Sequence, residues 1–382
     1  MDNFDFYSPT YFKFGKDTEK ETGSLAKRFG AKKVLLHYGK GSVVKSGLLE
    51  RVKDSLNSAG ISHVELGGVQ ANPLADLVYE GIDLARRENI DFIIAVGGGS
   101  AIDSAKAIAA GVPYEGDFWD FYSAKARVEK ALPVGVVLTI SAAGSEGSNG
   151  SVISAQGGKL KRSTGSDMIR PKFAIMNPSL TATLPPYQVA CGGADIMAHL
   201  FERYFTNTQD VETTDQLIEA LLRAVIINLP KAVANPADYE AQANIMWAGM
   251  LAHNNVVGVG RVQDWASHRI EHELSAMYDV AHGAGLATVF PAWMKYTLKH
   301  DPARFARLAT NVWGVADGMA GIEKLKNFWS SLGLPTTFKE LGGKEEDIPH
   351  LVKNITYTPA GTNGTFVPLK EADVAAIYAL MK

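Results

Sequence analysis

An α/β domain followed by an all-helical domain is the fold class this sequence predicts, and three observations predict it. Residues 1–186 alternate short β-branched apolar runs with amphipathic stretches, the pattern of a mostly parallel sheet covered by helices. From 187 to 382 the apolar spacing is helical, and Pro185 and Pro186 mark the change of texture, so the domains are expected at 1–186 and 187–382. The length of 382 residues also suits two cores, since single cores stop growing at about 250–300 residues.

In chain order, 32–39 reads as a buried strand and 46–60 as a helix ending in Gly60. A strand at 63–68 precedes a helix at 74–89. Residues 90–99 form a strand running into glycines, 100–111 a helix, and 132–141 another buried strand. Beyond the prolines, 188–206, 213–234 and 239–255 carry helical periodicity. No fixed-period repeat or low-complexity segment occurs.

Composition narrows the function classes. With 46% apolar and 21% charged residues the chain is an ordinary globular protein. A net charge of -3, and no basic run longer than that at 159–162, argue against a nucleic-acid partner. The single cysteine, Cys191, excludes an internal disulfide framework and fits a reducing compartment. No apolar run reaches about 18 residues, so no membrane span is expected. The first residues lack the basic-then-apolar order of a signal peptide, so a cytoplasmic location is expected.

Three segments could take a phosphorylated ligand. At 95–109 a strand ends in Gly97, Gly98 and Gly99, and a helix is expected to begin at Ser100, with Asp103 placed for something close to a capping box. Glycines let the backbone approach a bulky anion, and the N–H groups of the helix start would face it. This is neither the G-x-G-x-x-G fingerprint nor a P-loop, and the alternative is a tight turn without a ligand. At 37–47, Gly39 and Gly41 follow another strand and could admit a ribose. No acid stands at that strand's end, whereas Lys40, Ser42 and Lys45 could meet a 2′-phosphate; the alternative is an ordinary loop with solvated lysines. At 139–151 small and hydroxyl residues could hold a diphosphate or nicotinamide, or form only a flexible turn.

Three of the nine histidines fall within 267–282. His268 and His272 are four apart in a predicted helix, which puts both rings on one face, and His282 stands just before Gly283. Asp195 and His199 share the same spacing upstream. Two helices, each presenting such a pair, can converge on one ion. Three imidazoles and one carboxylate suit Zn²⁺ or Fe²⁺ and leave a position for substrate. An i,i+4 histidine pair is more often an ordinary half-buried face, and no local motif ties the two helices together.

Together these segments resemble the iron-containing (group III) alcohol dehydrogenases over nearly the whole chain. The resemblance runs from 9–18 through the glycine helix, Gly144-Ser145-Glu146 and 177–186 to the histidine segment ending at Pro291. It implies a dinucleotide-binding domain, a helical domain and a metal between them, with Asp195, His199, His268 and His282 as ligands. The second histidine, His272, would sit near substrate and nicotinamide, where it is a candidate proton relay. Gly97, Gly98, Gly99 and Ser100 would cradle the pyrophosphate with Asp103 nearby, Thr139 and Ser145 would line the diphosphate and nicotinamide, and Lys161 would reach the nicotinamide ribose. The branch most similar is that of NADP-dependent butanol dehydrogenases and aldehyde reductases. Where members preferring NAD tend to carry an acid, this chain has Gly39 to Ser42, so NADP(H) is expected, with one Fe²⁺ or Zn²⁺. Ala143 departs from the family's frequent threonine and removes a hydroxyl. The implied reaction moves hydride between NADP(H) and a small primary alcohol or aldehyde, and a homodimer is implied. The alternatives are an NAD-dependent glycerol- or lactaldehyde-type dehydrogenase, or a sugar-phosphate cyclase on the same dehydroquinate synthase-like architecture. A cyclase needs basic residues for a phosphorylated acid, and the histidine segment instead carries Trp265, Met277 and Tyr278.

Overall fold

The computed structural model describes residues 1–155, 157 and 160–382; Lys159, which opens the short basic run, lies outside the described residues. The chain divides into two compact units, residues 7–183 and residues 184–382 together with 1–6.

The first unit is built on a six-stranded sheet. Its strands are β1 (Tyr11–Phe14), β2 (Lys33–Gly39), β3 (Ser62–Val69), β4 (Phe92–Gly97), β5 (Val134–Leu138) and β8 (Phe173–Met176). A separate antiparallel hairpin joins β6 (Gly150–Ala155) to β7 (Leu160–Gly165). The sheet order is β1-β8-β5-β4-β2-β3 and every pairing is parallel. Parallel strands need helical crossovers, which cover both faces, and so β4, β5 and β8 are buried at every residue. The connecting helices are α1 (Leu48–Ser58), α2 (Ala75–Arg87) and α3 (Gly99–Gly111).

The hairpin and the two short strands β1 and β8 were not legible in the pattern. Strand β7 reads Leu-Lys-Arg-Ser-Thr-Gly, with little apolar alternation, and β1 and β8 have four residues each. The strand expected over 132–141 is shorter, Val134–Leu138, and Thr139 begins a loop.

The second unit is helical, as expected. Its main elements are α4 (Pro186–Tyr204), α5 (Glu212–Ala234), α6 (Tyr239–His253), α7 (Ala266–Tyr278) and α8 (His282–Thr297). Helix α4 is buried without a break from Val189 to Tyr204, which makes it the central helix of the unit's core. Gly283 lets α8 cross it closely. A Cβ there would lie 1.9 Å from the Cys191 carbonyl oxygen. That crossing brings the first residue of α8, His282, beside the Asp195 turn of α4.

Candidate active site

Strand β2 pairs with β3 on one side and β4 on the other, so the chain reverses its direction of travel across the sheet between β2 and β4. Ligands of open parallel sheets bind outside the carboxyl ends of the strands at such a switch point. All three phosphate-candidate segments lie there. Gly39 ends β2, Gly97 ends β4, and the Thr139 N–H after β5 donates to the Gly97 carbonyl at 3.1 Å.

The glycine turn differs in detail from expectation. Helix α3 begins at Gly99, one residue early, and Asp103 does not close a capping box. The half-buried Asp103 carboxylate instead accepts from Ser145 Oγ (2.6 Å) and from the Val152 N–H (2.9 Å). No side chain caps α3, so the first-turn N–H groups have only their own half-buried surroundings at Gly98, Gly99 and Ser100. Uncapped donors on a 13-residue helix, beside residues lacking side chains, suit an anionic diphosphate. The glycines are also demanded by packing. A Cβ at Gly98 would lie 2.1 Å from Ile140 Cγ2, and one at Gly99 would lie 3.2 Å from the Ala143 Cβ. Ala143, the departure noted above, therefore sits against the glycine turn.

The remaining candidates of this unit are spread around that centre. Ser42 and Lys45 are exposed on a four-residue helical turn after Gly41, and Lys40 Nζ donates to Gln70 Oε1 at 3.0 Å. Lys161 is buried on β7, with its Nζ 3.1 Å from Asn72 Oδ1. The Ser145 hydroxyl is engaged within the protein, between Asp103 and Lys106. Lys106 had no assigned role from sequence. It is fully buried, and its Nζ donates to the carbonyls of Ser145 (2.7 Å), Ser148 (3.0 Å) and Gly150 (2.8 Å), anchoring the hydroxyl-rich loop to α3. Its position one turn after Asp103 was the available signal.

In the helical unit, Asp195, His268 and His282 come together, with one ligand atom from each inside a mutual distance of 4.8 Å. Asp195 Oδ1 is 4.0 Å from His268 Nε2 and 3.9 Å from His282 Nε2. Two bonds of about 2.0–2.2 Å to one ion can bridge such separations. His199 adjoins this set without being one of its three members. Its Nδ1 donates to the Asp195 carbonyl at 2.9 Å and lies 3.1 Å from Oδ1, and its ring centroid is 4.7 Å from that of His268. His272, one turn after His268, is half-buried with its ring 5.7 Å from His282.

Each ligand-type ring is held by its Nδ1, which leaves Nε2 for another partner. His268 Nδ1 donates to Glu202 Oε1 at 2.7 Å, and His282 Nδ1 donates to Glu271 Oε2. Carboxylates in this position fix the orientation of metal-binding imidazoles and raise their basicity. Glu202 does more, since its carboxylate accepts the Trp265 N–H (2.5 Å) and the His268 N–H (3.0 Å) and so caps α7. Trp265 turns into this cap with φ of 65°, a left-handed conformation that a bulky residue adopts only under tertiary constraint. Sequence reading missed Glu202 and Glu271. Each stands three residues after a histidine, Glu202 after His199 and Glu271 after His268, but the ring each one holds belongs to another helix or to the turn it caps.

The electrostatics fit a cation. Burial alone would raise the Asp195 carboxyl, but the His199, His282 and His268 rings outweigh it and hold the group well below the usual carboxylate range. Burial, with the neighbouring rings His199 and His282, keeps His268 neutral, the form that binds metals. Asp195 Oδ1 and His268 Nε2 are buried and take no hydrogen bond, which is costly unless an ion occupies the space between them.

Comparison with known proteins accords with this geometry. The signature of iron-containing alcohol dehydrogenases matches residues 9–178, and that of the C-terminal part of the same family matches 189–381. A probable NADH-dependent butanol dehydrogenase of Bacillus subtilis is 40% identical over 99% of both chains. The NADPH-dependent aldehyde reductase YqhD of Escherichia coli is 36% identical over 93% of both. The crystal structure of an NADH-dependent butanol dehydrogenase A from Thermotoga maritima superposes with a TM-score of 0.97 at 41% identity, covering 100% of this chain and 99% of that one. Signature, sequence and fold agree across both units: the chain belongs to the iron-containing alcohol dehydrogenase family of NAD(P)H-dependent oxidoreductases.

Proposed function

We propose that the protein is a metal-dependent, NADP(H)-linked oxidoreductase. It would transfer hydride between the cofactor and a small primary alcohol or its aldehyde, of about butanol size, and work chiefly as an aldehyde reductase. The observation that carries the reading is the pair of buried atoms Asp195 Oδ1 and His268 Nε2, neither of which receives a hydrogen bond, among imidazoles oriented by Glu202 and Glu271.

Asp195, His199, His268 and His282 would hold one Fe²⁺ or Zn²⁺, both of which suit this donor set. When bound, the ion supplies a Lewis acid and the nicotinamide supplies the hydride. The chain's own residues position both. The uncapped start of α3 would receive the diphosphate, and the loop anchored by Lys106 would border the nicotinamide side. His272, half-buried one turn from His268, would pass a proton to the substrate oxygen. NADP(H) over NAD(H) is supported by the end of β2, where 39–42 carries glycines, a lysine and a serine and no carboxylate. A homodimer is supported by β1, an edge strand with exposed Tyr11 and Phe14. A cytoplasmic enzyme acting on a small molecule is supported by the single buried cysteine and the net charge of -3; among the described residues no helix is long and apolar enough to cross a membrane.

Elemental analysis combined with an NADPH and NADH panel over C3–C6 aldehydes tests the reading. Chelation should abolish reduction and restored metal should recover it, with NADPH the faster donor. Full activity in metal-free protein overturns the metal role, and a clear preference for NADH overturns the cofactor assignment.

A further inference from the structure

Glu271, His272 and His282 also bring one ligand atom each within 4.8 Å of one another. This second set shares His282 with the first, and the two acids approach that ring from opposite nitrogens. Asp195 Oδ1 faces Nε2 at 3.9 Å, whereas Glu271 Oε2 contacts Nδ1. Access differs as well. In the first set two of the three residues are buried; in the second only Glu271 is buried, while His272 and His282 are both half-buried.

We propose that Glu271, His272 and His282 form a second, weaker divalent-cation site that loads with zinc when the metal is in excess. One carboxylate and two imidazoles make a donor set suited to Zn²⁺, and the half-buried rings give the ion a path from solvent. Three features make the site weaker than the first. Glu271 must give up its hydrogen bond to His282 Nδ1 in order to ligate, the Nδ1 proton must leave to solvent so that the ring bridges the two ions as an imidazolate, and two divalent ions on either side of one ring repel each other. Loading engages His272, so excess zinc slows turnover over the same concentration range. The inference rests on the metal-centre reading for its first site, but it depends on His272, which that centre does not use.

The test is to dialyse metal-free enzyme against Zn²⁺ from trace to millimolar levels and count bound zinc per chain. The wild type takes one equivalent tightly and a second at higher concentration. His272→Asn, a change at a half-buried position, keeps the tight equivalent and loses the weak one, and His272→Gln does the same. His268→Ala loses the tight equivalent and keeps the weak one. A wild-type curve that stops at one equivalent, or a His272→Asn curve that overlies the wild type throughout, overturns the second site. Failure of the first-site reading looks different: the wild type shows no tight equivalent, while its weak one still depends on His272.

Discussion

The glycine turn at 97–100 and the imidazole cluster around Asp195 are both arranged to meet a charged ligand, yet they are made of opposite materials. The turn presents main-chain N–H groups, and it can do so because side chains are missing at Gly98 and Gly99. The cluster presents side chains, each oriented by a further side chain behind it, Glu202 for His268 and Glu271 for His282. A backbone site should therefore fail when atoms are added, and a side-chain site when atoms are removed.

The largest effect expected from this contrast is deletion in the cluster. His268→Ala should strip the tightly bound metal and lower kcat/KM by about 10³-fold or more, since a metal's charge stabilisation is worth several kcal/mol. Cofactor affinity, read by NADPH fluorescence, should stay near wild type. A parallel loss of NADPH binding would break the separation of the two sites.

The second effect concerns the core beneath the glycine turn. His37 on β2 is fully buried, with Nδ1 donating to the Leu66 carbonyl (2.9 Å) and Nε2 accepting from Ser104 Oγ (2.8 Å). Burial lowers its pKa from the ordinary 6.5 to about 4. Above pH 6.5 the ring is neutral folded or unfolded and contributes no pH dependence. As pH falls from 6.5 to 4 only the unfolded chain takes the proton, so stability declines, by about 3 kcal/mol at pH 4. Denaturant melts at pH 7 and pH 4 should show a smaller decline in His37→Gln than in the wild type. An equal decline would remove His37 as its source.

Next is Glu202→Gln. The amide keeps one oxygen for His268 but turns its NH2 toward the Trp265 N–H, so one α7 cap bond is lost along with the carboxylate that polarises His268. Metal affinity should weaken by about 10- to 100-fold, and the lost cap should lower the melting temperature by an amount corresponding to about 1–2 kcal/mol. An unchanged affinity would show that ring orientation, and not charge, is what Glu202 supplies.

The smallest change is a single methyl on the turn. Gly98→Ala drives a Cβ toward Ile140 Cγ2 and should cost about 1–3 kcal/mol of stability while weakening NADPH binding. Adding Ile140→Ala should return much of the stability, because the two positions are in contact. Metal content should not change in either variant.

How much of this was legible follows the same division. The strand running into Gly97 and the helix after it are a local pattern, and so are the i,i+4 pairs Asp195/His199 and His268/His272. The change from alternating strands and helices to helices alone is likewise visible along the chain. The hairpin β6–β7 was not visible, because Val152 and Ile153 are the only large apolar residues of β6 and β7 is polar after Leu160, so neither strand shows a period-two alternation and only pairing makes them strands. The start of α3 at Gly99 was missed because Asp103 is drawn inward to Ser145 and Val152, contacts more than forty residues away in the chain.

From the order of residues came the candidate phosphate turn and the pairs Asp195/His199 and His268/His272, because spacings of one to four residues fix which groups share a face or a turn; the family, and with it His282 as a fourth candidate ligand, came from the resemblance of the whole chain. Only the folded chain decided which ring nitrogen is left to bind, that Glu202 and Lys106 are the buried anchors, and that Gly98 is required by Ile140. Those outcomes depend on groups brought together from distant segments, and local propensity carries no information about such meetings.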